Sequence, residues 1–151
     1  MLSVRAVVLS VAAGALLPAS LAHAQLRVVA WNITNYSGGR AADLHTSVYG
    51  LFQGRSMSPD VIAIQEVSSA PALSELVGIL NTAPGSPGDW AGAPFIDGPD
   101  SESVLVYRTS KVQLLGTTVV ALGSSDTDNQ PRNTYRHDIR PIGYTAPGAT
   151  V

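Results

Sequence analysis

Cysteine is absent from this 151-residue sequence, which excludes disulfide bridges, thiolate nucleophiles and cysteine-ligated zinc. Charge is scarce: Asp, Glu, Lys and Arg make up 13% of the chain, against 45% hydrophobic residues. That balance is too apolar for a disordered segment or a coiled coil and calls for a packed globular core. A basic excess is also missing. Nine Lys and Arg against eleven Asp and Glu leave a formal net charge of -2, so the chain lacks the basic surface that holds nucleic acid by phosphate neutralisation alone. Any phosphate chemistry has to come from a local site, with a metal as its natural partner. Turn formers are plentiful instead, with 14 Gly and 10 Pro. No internal repeat and no low-complexity tract is found.

Residues 1–24 read as a secretory signal peptide. Arg5 supplies a positive start, Ala6 to Leu17 an apolar run, Pro18 a breaker and Ala22-His23-Ala24 a small-x-small cleavage signature. A transmembrane anchor wants about 20 apolar residues, and the run before Pro18 is shorter. The expected mature protein is residues 25–151, a weakly acidic domain that is secreted or periplasmic. No second hydrophobic span follows.

Strands and helices then alternate. Leu26 to Ile33 is a β-branched and aromatic run ended by Asn35, Ser37, Gly38 and Gly39, and it reads as a strand. Leu44, Val48, Leu51 and Phe52 form one apolar stripe on a helix from Ala41 to Phe52, closed by Gly54 and Pro59. Val61 to Val67 has the unbroken apolar pattern of a central strand covered on both faces. Ser69 is positioned to cap a second helix, Ala70 to Asn81, with Leu73, Leu76, Val77 and Leu80 as its stripe. Residues 81–100 are rich in Pro and Gly, an exposed loop with one short strand around Ala93 to Ile96. Ser103 to Tyr107 and Val112 to Leu115, separated by four polar residues, form a hairpin-like pair whose second arm extends over Thr117 to Leu122. One more strand falls within Asn133 to Tyr144. The expected class is α/β in the α+β sense, a mixed β-sheet with flanking helices.

Two polar residues stand where such a sheet presents ligands. Asn32 and Glu66 each end a strand of the same β-α-β unit, and crevices form at strand ends. Glu66 delivers a carboxylate to the end of a very apolar strand, and such a group needs a cation, a partner or water. Hard oxygen ligands of this kind suit Mg²⁺ or Mn²⁺. The structural alternative has Glu66 emerging into solvent and Asn32 capping a turn; spacing alone does not choose between them.

The segments Val28-Val29-Ala30-Trp31-Asn32 and Pro59-Asp60-Val61-Ile62-Ala63-Ile64-Gln65-Glu66-Val67 resemble the first two motifs of the endonuclease/exonuclease/phosphatase superfamily. That superfamily includes secreted deoxyribonucleases, abasic-site endonucleases, sphingomyelinases and inositol-phosphate phosphatases. Ser103-Val104-Leu105-Val106-Tyr107-Arg108 and Gln130-Pro131-Arg132 continue the similarity, which covers essentially all of residues 25–151. The resemblance implies that Asn32 lies at the metal and nucleophile site, that Glu66 is the principal metal ligand for Mg²⁺ or Mn²⁺, and that Gln65, Tyr107 and Arg132 face substrate. It also implies metal-dependent hydrolysis of a phosphodiester or phosphomonoester in nucleic acid, a phospholipid head group or an inositol phosphate.

Other candidates weigh less. Arg132, Arg136, His137 and Arg140 form a basic cluster able to grip phosphate bidentately or to pair with Asp126, Asp128 and Asp138. His137-Asp138 lacks the further ligands that a phosphohydrolase of the His-Asp type needs. His45 and Trp90 are expected to pack, and Ser68-Ser69 has no accompanying catalytic arrangement.

The resembled fold is a four-layer α/β/β/α sandwich whose second half carries a general-base His with its Asp partner and an Asp-x-Asn pair. None of these follows in this sequence, so residues 25–151 are expected to be the first half of that sandwich, truncated at the C-terminus and weakly active or inactive alone. An exposed inner sheet face and open edges then invite self-association. Two other readings stand beside the hydrolase: a secreted, non-catalytic binding or interaction protein that keeps the half-fold, and an ordinary α/β domain in which Asn32 and Glu66 are structural.

Overall fold

A computed structural model describes residues 25–124, 132–145 and 150–151; the expected signal peptide, Pro131 and the acidic loop with Asp126 and Asp128 lie outside the described residues. The chain runs β1 (Val28–Tyr36), α1 (Ala41–Tyr49), β2 (Val61–Val67), α2 (Ala70–Thr82), β3 (Trp90–Gly92), β4 (Glu102–Arg108), β5 (Val112–Ala121) and β6 (Thr134–Pro141). Strands β1-β2-β4-β3 form one sheet, parallel between β1 and β2 and antiparallel elsewhere, while β5 and β6 pair antiparallel in a second. The fold is mixed α+β, as the alternation of patterns implies.

Alternation along β2 builds the layers. Ile62 and Ile64 point to one face and pack with Val104 and Val106 of β4 against Leu44 and Val48 of α1 and Leu73, Leu76 and Leu80 of α2. Val61 and Ala63 point the other way, with Leu105 and Tyr107, and meet Val112, Leu114 and Ile139 of the second sheet. A strand buried on both faces carries no polar alternation, and that accounts for the unbroken run Val61 to Ile64.

Several boundaries differ from the sequence expectation. Helix α1 stops at Tyr49 because Gly50 turns to extended backbone while its N–H still closes on Thr46 O at 2.9 Å. Leu51 and Phe52 consequently leave the expected stripe and stand 76% and 78% exposed. The short strand is Trp90–Gly92 and not Ala93 to Ile96; Asn81 fixes it by accepting from Trp90 N at 2.7 Å and donating to Trp90 O at 3.1 Å. Strands β4 and β5 do not form a hairpin with each other. Both edges of β4 are taken by β2 and β3, so the chain crosses at residues 109–111 into the second sheet. Helix α2 begins as expected: Ser69 Oγ accepts from Ala72 N at 3.2 Å, a cap worth about 1 kcal/mol over Ala.

The second sheet covers β2 and β4 but not β1, leaving Val28 61% exposed and Ala30 exposed beside it. On the edge of β6 away from β5, Ile139 and Val151 exchange both backbone hydrogen bonds, at 3.0 and 2.8 Å. No helix among the described residues is long and apolar enough to cross a membrane.

Candidate metal and phosphate site

Two adjacent strand irregularities create the site. The β1–β2 register shifts between Asn32 and Tyr36, and the β2–β4 register shifts between Ile64 and Val67. Thr34, Asn35 and Glu66 all have positive φ, at 52°, 45° and 69°. Left-handed backbone costs an L-residue roughly 1–2 kcal/mol, and such outliers concentrate at functional sites. The irregularity also reverses the alternation: Val67 joins the helix-side cluster although Val61 and Ala63 face the other way. Strand β1 therefore continues to Tyr36, through Asn35, where its composition reads as a turn.

The result is a carboxylate held by converging donors. Asn32 Nδ2 donates to Glu66 Oε1 at 2.9 Å and Asn35 N donates to Glu66 Oε2 at 3.0 Å. Asn32 is itself oriented, since its Oδ1 accepts from Thr34 N at 2.9 Å. The Arg132 guanidinium lies 3.4 Å from Glu66 Oε1 and 3.2 Å from Asp100 Oδ2. The hydrogen bond from Asn32, then that from Asn35, then the Arg132 charge hold the Glu66 carboxyl below the usual carboxylate range. It stays ionised under ordinary conditions.

Of the expected residues, Asn32, Glu66 and Arg132 come together. Gln65 pairs with Asn32 across the strands and lines a neighbouring cavity of about 230 Å³ that Ser103, Val104, Asn133, Tyr135 and His137 also border. Tyr107 stands apart from them: it lies opposite Val61 and packs in the second-sheet cluster. Five residues of strand, about 16 Å, separate that position from Glu66, so Tyr107 does not face the site. The basic cluster also disperses. Arg136 pairs with Asp138 at 3.2 Å, Arg140 donates to Gln113 at 2.8 Å, and only Arg132 reaches Glu66. His45 bonds to Ile79 O at 3.1 Å, and Trp90 is buried with its Nε1 donating to Tyr49 OH at 2.6 Å. Both pack, as expected.

Sequence reasoning missed Asp100 and the buried group behind it. Glu102, 1% exposed, accepts from Tyr135 OH, which in turn accepts from Asn133 Nδ2 at 3.2 Å. Gly98 presses on this carboxyl so closely that a Cβ there would collide with Glu102 Oε1. Three acids within Asp97-Gly98-Pro99-Asp100-Ser101-Glu102, immediately before an apolar strand, were the available signal. Burial, and next the hydrogen bond to Glu102, push the Tyr135 phenol up to about 12.

Among the described residues no cluster of three or more His, Asp or Glu side chains is present. A cation that takes one or two carboxylates and otherwise water and phosphate oxygens, as Mg²⁺ does, still fits the donor set. Among the described residues Oε2 of Glu66 accepts from the Asn35 amide, and Asp100 is joined to the same carboxylate through the Arg132 guanidinium. His137 lines the cavity beside Gln65, with its Nδ1 paired to Thr117 Oγ1 at 3.0 Å. Burial lowers the His137 pKa against the opposing pull of Asp138. A base whose folded pKa is depressed contributes full stability above its unfolded value and loses it as pH falls through that value toward the folded one. Chemical denaturation between pH 7.5 and 5 is expected to show stability falling toward acid, and a His137→Asn variant to show a shallower slope; identical slopes would remove His137 as the cause.

No protein-family model matches this chain, and no curated protein matches it.

Proposed function

We propose that the chain carries the metal-holding site of an exported phosphoesterase of the endonuclease/exonuclease/phosphatase type, hydrolysing phosphodiester or phosphomonoester bonds with Mg²⁺ or Mn²⁺. The observation that carries this reading is Glu66: a charged residue in left-handed backbone, fixed by Asn32, the Asn35 amide and Arg132. Backbone strain with three converging donors is more than a solvent-facing strand end requires. In this reading Glu66 would hold the cation, and Asn32, donating to its Oε1, keeps the carboxylate from rotating. A bound Mg²⁺ supplies neutralisation of charge developing on phosphoryl oxygens. Arg132 offers the guanidinium fork that suits a phosphate oxygen pair, releasing Glu66 Oε1 as it does so. His45 is bonded to Ile79 O and His137 to Thr117 Oγ1. The assignment is to cation and phosphate holding.

The second reading, a non-catalytic interaction protein that self-associates, is favoured by one observation: the exposed strip at Val28 and Ala30. Mn²⁺ titration followed by electron paramagnetic resonance separates the two. The hydrolase reading expects a Mn²⁺ site displaced by Mg²⁺ and weakened about tenfold in Asn32→Ala, the effect of losing a group that orients a metal ligand. Equal affinity in wild type and Asn32→Ala, or no site, sinks it in favour of the interaction reading.

A further inference from the structure

Arg40 breaks three local rules at once. It stands at the start of α1 with φ 57° and ψ 30°, left-handed backbone that suits Gly or Asn. Its side chain makes no capping hydrogen bond to the helix, where Ser, Thr, Asp or Asn would satisfy one of the free amides. A cation at that end also opposes the positive pole of the helix dipole. Residues that go against their local structure in this way concentrate at functional sites, and the contacts that compensate Arg40 lie in β1.

The guanidinium spans the distortion that builds the Glu66 site. Arg40 Nη2 donates to Ile33 O at 2.7 Å, and Cζ lies 5.1 Å from the centre of the Tyr36 ring, within cation–π range. Ile33 and Tyr36 are buried, 4% and 0% exposed, and they bracket Thr34 and Asn35, two exposed residues with positive φ. Thr34 has a local hold, its amide donating to Asn32 Oδ1. Asn35 turns its amide to Glu66 Oε2 instead, so the aim of that amide depends on how the two buried ends are joined. Both sides of the join are anchored. The Tyr36 carbonyl accepts from Ser68 N at 2.9 Å and from Ser68 Oγ at 3.0 Å, beyond the end of β2. The loop before Arg40 is held by Glu75 of α2, which accepts from Gly39 N at 3.0 Å and presses on Gly38 too closely for a Cβ, and by Tyr36 OH, which donates to Gly39 O at 3.2 Å. We propose that Arg40 is a positioning residue of the cation site, a clamp that joins Ile33 to Tyr36 and so aims the Asn35 amide at Glu66; this rests on the reading of Glu66 as the cation ligand. Lysine copies it only in part, because a guanidinium can bond a carbonyl and stack on a ring together, whereas an ammonium is a point charge.

Mn²⁺ titration of wild type, Arg40→Asn and Arg40→Lys by electron paramagnetic resonance, with the Asn35 amide proton resonance of each metal-free chain, tests the clamp. Asn suits left-handed backbone and takes the cation away from the helix end, so Arg40→Asn is expected to fold, which urea unfolding checks. Its Mn²⁺ affinity is expected to fall about tenfold, the lower end of the loss when a group that orients a metal ligand is removed. Its Asn35 amide proton is expected to move upfield as the charge-assisted bond to the carboxylate weakens. Removing a positive charge near the site tightens cation binding by itself, so the sign of the change separates a clamp from a charge effect. Arg40→Lys, which keeps the charge and one of the two contacts, is expected to fall between the other two. Mn²⁺ affinity unchanged or raised in Arg40→Asn overturns the clamp and leaves the Glu66 reading standing. A wild type without a Mn²⁺ site overturns the Glu66 reading; an Asn35 resonance that still moves in Arg40→Asn then supports the clamp, and one that stays in place overturns it too.

Discussion

Replacing Tyr135 with Phe is expected to lower the unfolding free energy by about 3 kcal/mol, at the upper end of what removing a hydrogen bond to a charged group costs. The phenol is the donor that meets Glu102 among the described residues, and Glu102 Oε1 has no partner there. Deleting one oxygen atom leaves a carboxyl group, 1% exposed, without its hydrogen bond. Gly98 closes over the other carboxylate oxygen, Oε1. The phenol stays protonated, and so remains a donor, to about pH 12. Urea unfolding of wild type, Tyr135→Phe, Glu102→Gln and the double variant measures the effect. The double variant should lose less than the sum of the singles, because once the carboxyl is gone the hydroxyl has less to offer. A Tyr135→Phe change below about 0.5 kcal/mol, the scale of an ordinary surface substitution, would show that Glu102 does not depend on it.

The frame of the fold is legible in the sequence wherever burial is one-sided or complete. Val61 to Ile64 reads as a two-face strand and is one, and Leu73, Leu76 and Leu80 read as a helix stripe and are buried as one. Periodicity fails where a single residue's backbone decides the outcome. Gly50 ends α1 a turn early, and nothing in the apolar spacing of Leu51 and Phe52 shows it. Pairing partners are equally hidden, because the hairpin-like spacing of β4 and β5 says nothing of β2 and β3 already occupying both edges of β4. The same division runs through the site. Asn32 and Glu66 are recognisable as polar residues at strand ends, and Arg132 as a cation near them by resemblance. Tyr107 lies apart from Glu66 because a strand has two ends, and a residue matched on the strand's pattern alone does not say at which end it stands. Asp100 and the Asn35 amide escape because one is an ordinary loop acid and the other is main chain, which no side-chain pattern reports.

Glu66 allows stability and function to be pulled apart at one position. Glu66→Ala and Glu66→Gly both remove the carboxylate, and both are expected to weaken Mn²⁺ binding on the order of 100-fold or more, beyond the loss from disturbing a group that merely orients a ligand. Their stabilities should differ. At φ 69° Ala retains the Cβ strain of left-handed backbone and Gly does not, so the Gly variant should be more stable than the Ala variant by about 1 kcal/mol. A residue kept for stability would not show Gly as the better choice at its own position. Both variants should also lose an acid-side dependence of the wild type. The depressed Glu66 pKa, set first by the Asn32 hydrogen bond and then by the Asn35 amide, contributes stability above the unfolded carboxyl's value. That contribution disappears as pH falls through the folded value. Urea unfolding at neutral pH and at pH 4, with Mn²⁺ titration of each variant, tests all of this. Gly no more stable than Ala would mean that the strain does not reside at residue 66. Unchanged Mn²⁺ affinity in either variant would mean that the strained carboxylate holds Arg132 and the strand ends together and takes no cation.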